Sequence, residues 1–211
     1  MDEQLRTAML KEIFNTVSEG YDKKALRFFP NSALHMAALL GLRGDEHVLD
    51  VAVCAFGIFF VEDMDTQLAR IASTIKHGGR IMISNFQESY FHPLKEKLAS
   101  RITTYGVQVP PQTWKRIAHE QGCRELFEKA GLANIAVDRK NVGYYLDSAG
   151  QWWDVVWNAG FRRMVGQLSP SDQEQFKREH LQEVEALRTK DGIRLDVGVL
   201  YTSGTKPERS E

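Results

Sequence analysis

Val48-Leu49-Asp50-Val51-Ala52-Val53-Cys54-Ala55-Phe56 is the stretch on which the fold reading turns. From His47 to Ala55 the residues form an almost continuous apolar run rich in valine, with Asp50 inside it. A run of this kind reads as a strand buried on both faces, as in parallel sheets. Asp63 to Ile75 follows with Leu68, Ile71, Ala72 and Ile75 at helical spacing. Lys76-His77-Gly78-Gly79 ends that helix, and Arg80-Ile81-Met82-Ile83-Ser84-Asn85-Phe86 is the next strand. Strand, helix, glycine turn and strand make a βαβ unit, so the chain is an α/β protein.

Outward from this unit the pattern stays α/β. Leu5, Met9, Ile13, Phe14 and Val17 predict a helix before it, and Asn31 to Leu42 a second, with Ser32 as its cap. Beyond it, helices are predicted from Pro93 to Tyr105, from Thr113 to Ala130-Gly131, from Ala149 to Val165 and from Ser169 to Lys190. Strands are predicted at Ile135–Val137, extending toward Tyr145, and at Leu195–Thr202. The expected organisation is a helical cap over residues 1–46, an α/β domain over 47–204 with a helical insertion at 93–131 and helices across 149–190, and a disordered tail at 205–211.

Composition narrows the function classes. There are 27 basic and 28 acidic residues, a formal net charge of -1, which leaves no electrostatic footprint for nucleic acid. The apolar run from Val48 to Val61 is too short to span a bilayer, so no membrane span is predicted. The first residues carry neither a basic region nor an apolar core of a signal peptide. Cys54 and Cys123 form no metal-ligand cluster or disulfide framework, and a cytoplasmic location is expected. His35, His92, His119 and His180 lack ligand spacing.

Several segments in order carry a family resemblance. Ile13-Phe14-Asn15-Thr16-Val17-Ser18-Glu19-Gly20-Tyr21-Asp22 resembles the N-terminal signature of class I S-adenosyl-L-methionine (SAM) dependent methyltransferases, closest to the type 11 group around ubiquinone and menaquinone biosynthesis. His47 to Ala52 is similar to the first half of motif I of that family, and Val53 to Asp63 to the end of its fourth strand. Ile75-Lys76-His77-Gly78-Gly79-Arg80-Ile81 resembles the turn before its fifth strand, and Trp152-Trp153-Asp154-Val155-Val156-Trp157-Asn158 with Gly160-Phe161 a later stretch. The resemblance covers nearly the whole chain but skips a segment between Ala52 and Val53. Three strand–helix units, about 60 residues by the size of such units, would lie there in the family.

The resemblance implies a truncated Rossmann-like fold. Removing the second and third strands and fusing the first to the fourth leaves a four-stranded mixed sheet in the order hybrid, fifth, seventh, sixth, with the last strand of the chain antiparallel. It implies a cofactor set of Phe14, Tyr21, Asp50, Ala55 and Phe56 and a substrate side at Trp153 and Trp157. Each has a plainer reading. Phe14 and Tyr21 can anchor a helix, Asp50 can cap helix amides, and Trp153 and Trp157 can form a packing cluster. The glycine loop that lets the backbone approach the cofactor and the ribose-binding acid have no counterpart, so SAM binding through the usual site is expected to be weak or lost. Three functions follow: a methyltransferase acting on a small hydrophobic acceptor, a non-catalytic binding or interaction module, or a broken copy. The hybrid strand's apolar edge is a pairing hazard: two copies can pair through it or the N-terminal helices can fold over it, and a homodimer through that edge is the expected partner state alongside the small-molecule acceptor.

Overall fold

The computed structural model describes residues 23–41, 50–109 and 113–208 of the chain. In chain order the elements are α1 (Phe28–Leu40), β1 (Val51–Ala55), α2 (Met64–Thr74), β2 (Arg80–Phe86), α3 (Leu94–Thr103), α4 (Glu120–Lys129) and β3 (Ala133–Asn141). They continue with β4 (Tyr144–Leu146), α5 (Ala149–Asn158), α6 (Arg162–Val165), α7 (Pro170–Glu185), β5 (Ile193–Leu195) and β6 (Gly198–Thr205). The predicted first helix with Phe14, the following Tyr21 and the start of the hybrid strand at His47 lie outside the described residues.

The described residues divide into two compact units, each discontinuous in sequence. One comprises residues 29–41, 50–91, 113–143 and 196–208, and the other 23–28, 92–109 and 144–195. This differs from the expected cap, domain and tail. α1 goes with the sheet unit, and the predicted insertion is shared out, α3 to the helical unit and α4 to the sheet unit.

The sheet unit holds four strands in the order β1-β2-β6-β3. β1 runs parallel to β2, with Val51 opposite Arg80 and Ala55 opposite Ser84. β6 runs antiparallel to both β2 and β3. This is the predicted mixed sheet, with Val51 and Val53 in one strand. The turn into β2 uses Gly78 at φ 74, and the Gly79 N–H donates to the Lys76 carbonyl at 3.0 Å. Glycine suits that position because a type II turn needs positive φ there.

On one face of the sheet Leu68 and Ala72 of α2 and Leu126 and Phe127 of α4 pack with Ile81, Ile83 and Leu200. On the other lies α1. Its Ser32 was the predicted cap but is buried inside the helix, and its hydroxyl accepts from Tyr201 at 3.0 Å. The helix starts earlier because Pro30 fits the first turn, where a missing N–H leaves no bond unmade.

Two strand expectations are corrected. β1 stands at the expected edge among the described residues, but it is not buried on both faces, and Val53 is 52% exposed. The chain end is ordered further than the expected tail boundary, since β6 runs to Thr205 and Lys206 exchanges backbone bonds with Gly78 and Gly79 at 2.9 and 2.8 Å.

In the helical unit β4 and β5 form an antiparallel pair that the sequence reading merged into its neighbours. The predicted tryptophan helix breaks after Asn158, and Gly160 at φ 96 carries the chain into α6. Arg101 of α3 binds Glu179 and Glu183 of α7, and Trp152 of α5 donates its indole N–H to His180 of α7 at 2.8 Å. Among the described residues no helix is long and apolar enough to cross a membrane.

Candidate functional site

In open α/β sheets ligands bind outside the carboxyl ends of parallel strands, so the end of β1 and β2 is the place to look. β1 ends at Ala55, and the Phe56 N–H donates to the Ser84 carbonyl at 3.0 Å. Phe56 has φ 48 and is buried. A bulky side chain with positive φ is an outlier, and such backbone costs roughly 1–3 kcal/mol unless its surroundings impose it.

The surroundings here are aromatic. The Phe56 ring stacks on Phe86 with centroids 4.6 Å apart and meets Phe29 edge-on at 5.6 Å. Phe86 stacks in turn on Tyr90 at 4.5 Å, and Tyr90 meets Trp114 edge-on at 4.9 Å. Phe91, at φ 60, lies 5.8 Å from Phe86, and its N–H donates to the Asp196 carbonyl at 2.7 Å. Two aromatic residues with left-handed backbone thus converge on Phe86. Two rings that sandwich a planar base stand roughly 7 Å apart, twice the 3.5 Å contact distance between stacked carbons. The spacings within Phe56–Phe86–Tyr90 leave no such gap.

The turn after β1 is also committed. Burial pushes the pKa of the Cys54 thiol up, against a smaller opposing pull from the backbone of Gly57 and Ile58. A Cβ at Gly57 would lie 3.0 Å from that sulfur. Gly57 is therefore small to admit Cys54. Asp63 caps α2 by accepting from the Thr66 N–H at 3.0 Å, and the Thr66 hydroxyl together with that N–H holds its carboxyl below the usual range.

The sequence-predicted residues are placed as follows. Phe14 and Tyr21 lie outside the described residues. Ala55 and Phe56 sit together at the carboxyl end of β1. Asp50 does not join them. It precedes β1 at the opposite end, about 16 Å away at the rise of a strand. There its carboxylate pairs with Lys76, and its carbonyl accepts from the Arg80 N–H at 2.9 Å. Trp153 and Trp157 share a face of α5 as expected, with ring centroids 6.0 Å apart. Lys177 lies 5.3 Å from the Trp153 ring and Arg162 4.6 Å from the Trp157 ring. Both indoles are half-buried.

Sequence reasoning missed the stack of Phe86, Tyr90 and Phe91 with Trp114, although aromatic density at Phe56, Phe59, Phe60 and again at Phe86, Tyr90, Phe91 was a visible signal. It also missed a polar row on the α1 face. Ser84, Tyr201 and Asp138 face one another in register across β2, β6 and β3, in line with Ala55 of β1. His35 of α1 sits over that row, 2.8 Å from the Asp138 carboxylate and 3.2 Å from the Lys140 ammonium. Lys140 can only donate, so Nδ1 of His35 accepts and Nε2–H donates to Asp138. Ser84 Oγ is buried without a hydrogen-bond partner. Among the described residues no group of three or more His, Cys, Asp or Glu could hold a metal ion.

SAM, the cofactor implied by the sequence resemblance, can be tested against these residues. It needs a carboxylate for the ribose hydroxyls and free backbone donors at the end of β1. The resemblance offers no ribose-binding acid. Asp50, which resembles the acid of motif I, is paired with Lys76 at the far end of the strand, and the Phe56 ring is buried at the carboxyl end of β1. The described residues do not fit the group, and the orphan hydroxyl of Ser84 alone does not supply what is lacking.

No protein-family model matches the chain, and no curated protein is detectably similar to it in sequence. Some solved structures are similar in part. One is phosphoethanolamine N-methyltransferase 2 of Haemonchus contortus in complex with phosphomonomethylethanolamine and S-adenosylhomocysteine, with 14% identity and a TM-score of 0.35 over 75% of this chain and 33% of that one. Another is a methyltransferase assigned as such in Bacillus halodurans C-125, with 12% identity and a TM-score of 0.39 over 75% of this chain and 64% of that one. A third is the YcgJ protein of Bacillus subtilis, with 14% identity and a TM-score of 0.40 over 85% of this chain and 78% of that one. The chain spans about a third of the length of the Haemonchus enzyme. Likenesses at this level carry no argument about chemistry.

Proposed function

We propose that this chain is a non-catalytic derivative of the class I methyltransferase fold, a binding or interaction module that does not use SAM. The observation that carries the reading is Phe56: at the corner where the fold class receives a cofactor, the chain's own ring is buried in a closed stack with Phe86 and Tyr90. The family assignment rests on the order of the sequence segments, from the motif I half at His47–Ala52 to the glycine turn at Lys76–Gly79. The loss of the cofactor function rests on the residues at β1. Charge-assisted bonds are each worth about 1.5–3 kcal/mol, and losing two or three lowers affinity by several orders of magnitude.

Titration calorimetry with SAM and with S-adenosylhomocysteine tests this. The expected result is no saturable heat. Binding of either tighter than roughly 100 μM, which needs about 5.5 kcal/mol of contacts, would restore the methyltransferase reading.

A ligand for the helical unit is compatible with the module. The half-buried, stacked Trp153 and Trp157 suit a small hydrophobic compound, the same class expected of the ancestral methyl acceptor. We also assign the protein to the cytoplasm on its two unpaired thiols, Cys54 and Cys123.

A further inference from the structure

The two edges of the sheet are guarded differently. β3, at one edge, carries Asp138, Arg139 and Lys140 in a row, and its register with β6 shifts between Ala133 and Ala136. Charges and irregular register are the usual devices that keep an edge from pairing. β1, at the other edge, has none of them: Val51-Ala52-Val53-Cys54-Ala55 is uncharged, regular and free of proline.

The backbone of β1 has a definite polarity across its width. The Asp50 carbonyl and the Phe56 N–H both bond to β2. Peptide groups alternate in direction along a strand, so Asp50, Ala52, Cys54 and Phe56 face β2. Val51, Val53 and Ala55 therefore direct their N–H and C=O outward. Among the described residues no strand pairs with that side. Val53, at the middle of the three, is 52% exposed.

We propose that β1 pairs antiparallel with β1 of a second copy of this chain about a two-fold axis at Val53. In that register Val53 faces Val53 of the second copy and Val51 faces its Ala55. Every outward N–H and C=O of the three residues then meets a complementary group, because odd positions meet odd positions. No other antiparallel register uses all three. A two-fold axis also makes the patch its own complement. The side chains of the paired strands Val51–Ala55 are valine, alanine and cysteine, and Asp50 and Phe56 flank them at either end of the seam. The result is one continuous sheet that runs β3-β6-β2-β1 through the axis and back through the second copy. A second copy is favoured over an unrelated strand because it alone brings a matching uncharged edge of the same length.

Light scattering on a sizing column, without SAM, is the test. The expected mass is twice the 24.0 kDa of the chain. Val53→Lys places two like charges opposite each other on the axis, and the exposed position tolerates lysine in the monomer. The variant is expected to elute at the single-chain mass with unchanged far-UV circular dichroism. In a Cys54→Ala background, Val53→Cys is expected to form a reducible crosslink under mild oxidation. Residues paired by two backbone bonds stand with Cα atoms about 5.5 Å apart, inside the disulfide range. A wild-type chain that stays single across the working concentrations overturns the proposal. So does a dimer that Val53→Lys leaves intact and Val53→Cys does not crosslink. Calorimetry with SAM is a separate measurement, so failure here leaves the cofactor reading standing, and the reverse holds too.

Discussion

At the scale of single residues, His180 shows how completely this chain spends its ionisable groups on packing. It is fully buried on α7, stacked on Phe176, and accepts the indole proton of Trp152 through Nε2. Its proton therefore sits on Nδ1, which lies 3.7 Å from the Glu183 carboxylate and makes no hydrogen bond. Burial drives its pKa down to about 4, against the upward pull of Glu183 and with the help of Arg101 and Lys97. The folded state holds the ring neutral, while an unfolded chain protonates it near pH 6.5. Between about pH 6.5 and 4 the unfolded state binds the extra proton, so stability is full above that window and falls as pH drops through it. The loss reaches about 3 kcal/mol at the bottom of the window. Denaturant unfolding measured against pH is expected to show this slope, and His180→Gln, which keeps an acceptor for Trp152, is expected to flatten it. A wild-type slope that the variant retains would assign the titration to other groups. Phe56 obeys the same economy: truncating its buried ring to alanine would cost about 3–5 kcal/mol, against the roughly 1–3 kcal/mol that its backbone costs, so the strained corner persists.

At the scale of elements, the sheet was legible and its surroundings were not. The order β1-β2-β6-β3 with β6 antiparallel is the one that the segment resemblance implies. The edge position of β1 followed as well, but the exposure of its Val53 face did not, because a valine-rich run looks the same whether or not an element covers that face. The site was half legible: Ala55 and Phe56 mark the corner, but Asp50 was assigned to it from a motif whose other half is missing. The stack of Phe86, Tyr90 and Trp114 depends on contacts between distant residues, which periodicity does not report. Gly122 is a further case. It sits in the first turn of α4, where a sequence reader would expect alanine to be better by roughly 0.5–1 kcal/mol. A Cβ there would lie 1.8 Å from the Arg116 carbonyl oxygen. The turn Thr113–Ile117 is pinned in that position because the Ile117 carbonyl accepts from Asn85 and from the Cys123 thiol. Gly122→Ala is therefore expected to destabilise by about 1–3 kcal/mol, the cost of an overpacked core. Urea unfolding decides it, and a variant as stable as wild type would mean that the turn can retreat.

At the scale of the whole molecule, the two units draw on discontinuous segments, so a boundary placed along the sequence could not recover them. Each has its own buried centre, around Leu68, Ile83 and Phe127 in the sheet unit and around Trp152, Phe176 and Leu146 in the helical unit. Only the sheet unit carries β1, and pairing through it has a thermodynamic consequence that needs no structural probe. A dimer that dissociates as it unfolds is stabilised by mass action, and its melting temperature rises with protein concentration. With the average unfolding enthalpy per residue applied to two chains of 211 residues, two-state melting shifts upward by about 2 °C for each tenfold rise in concentration. The Val53→Lys variant, held as a single chain, is expected to melt at one temperature across the same series. Calorimetric scans over the range distinguish the two, and a wild-type melting temperature that ignores concentration would mean that β1 meets water, with its outward N–H and C=O groups solvated.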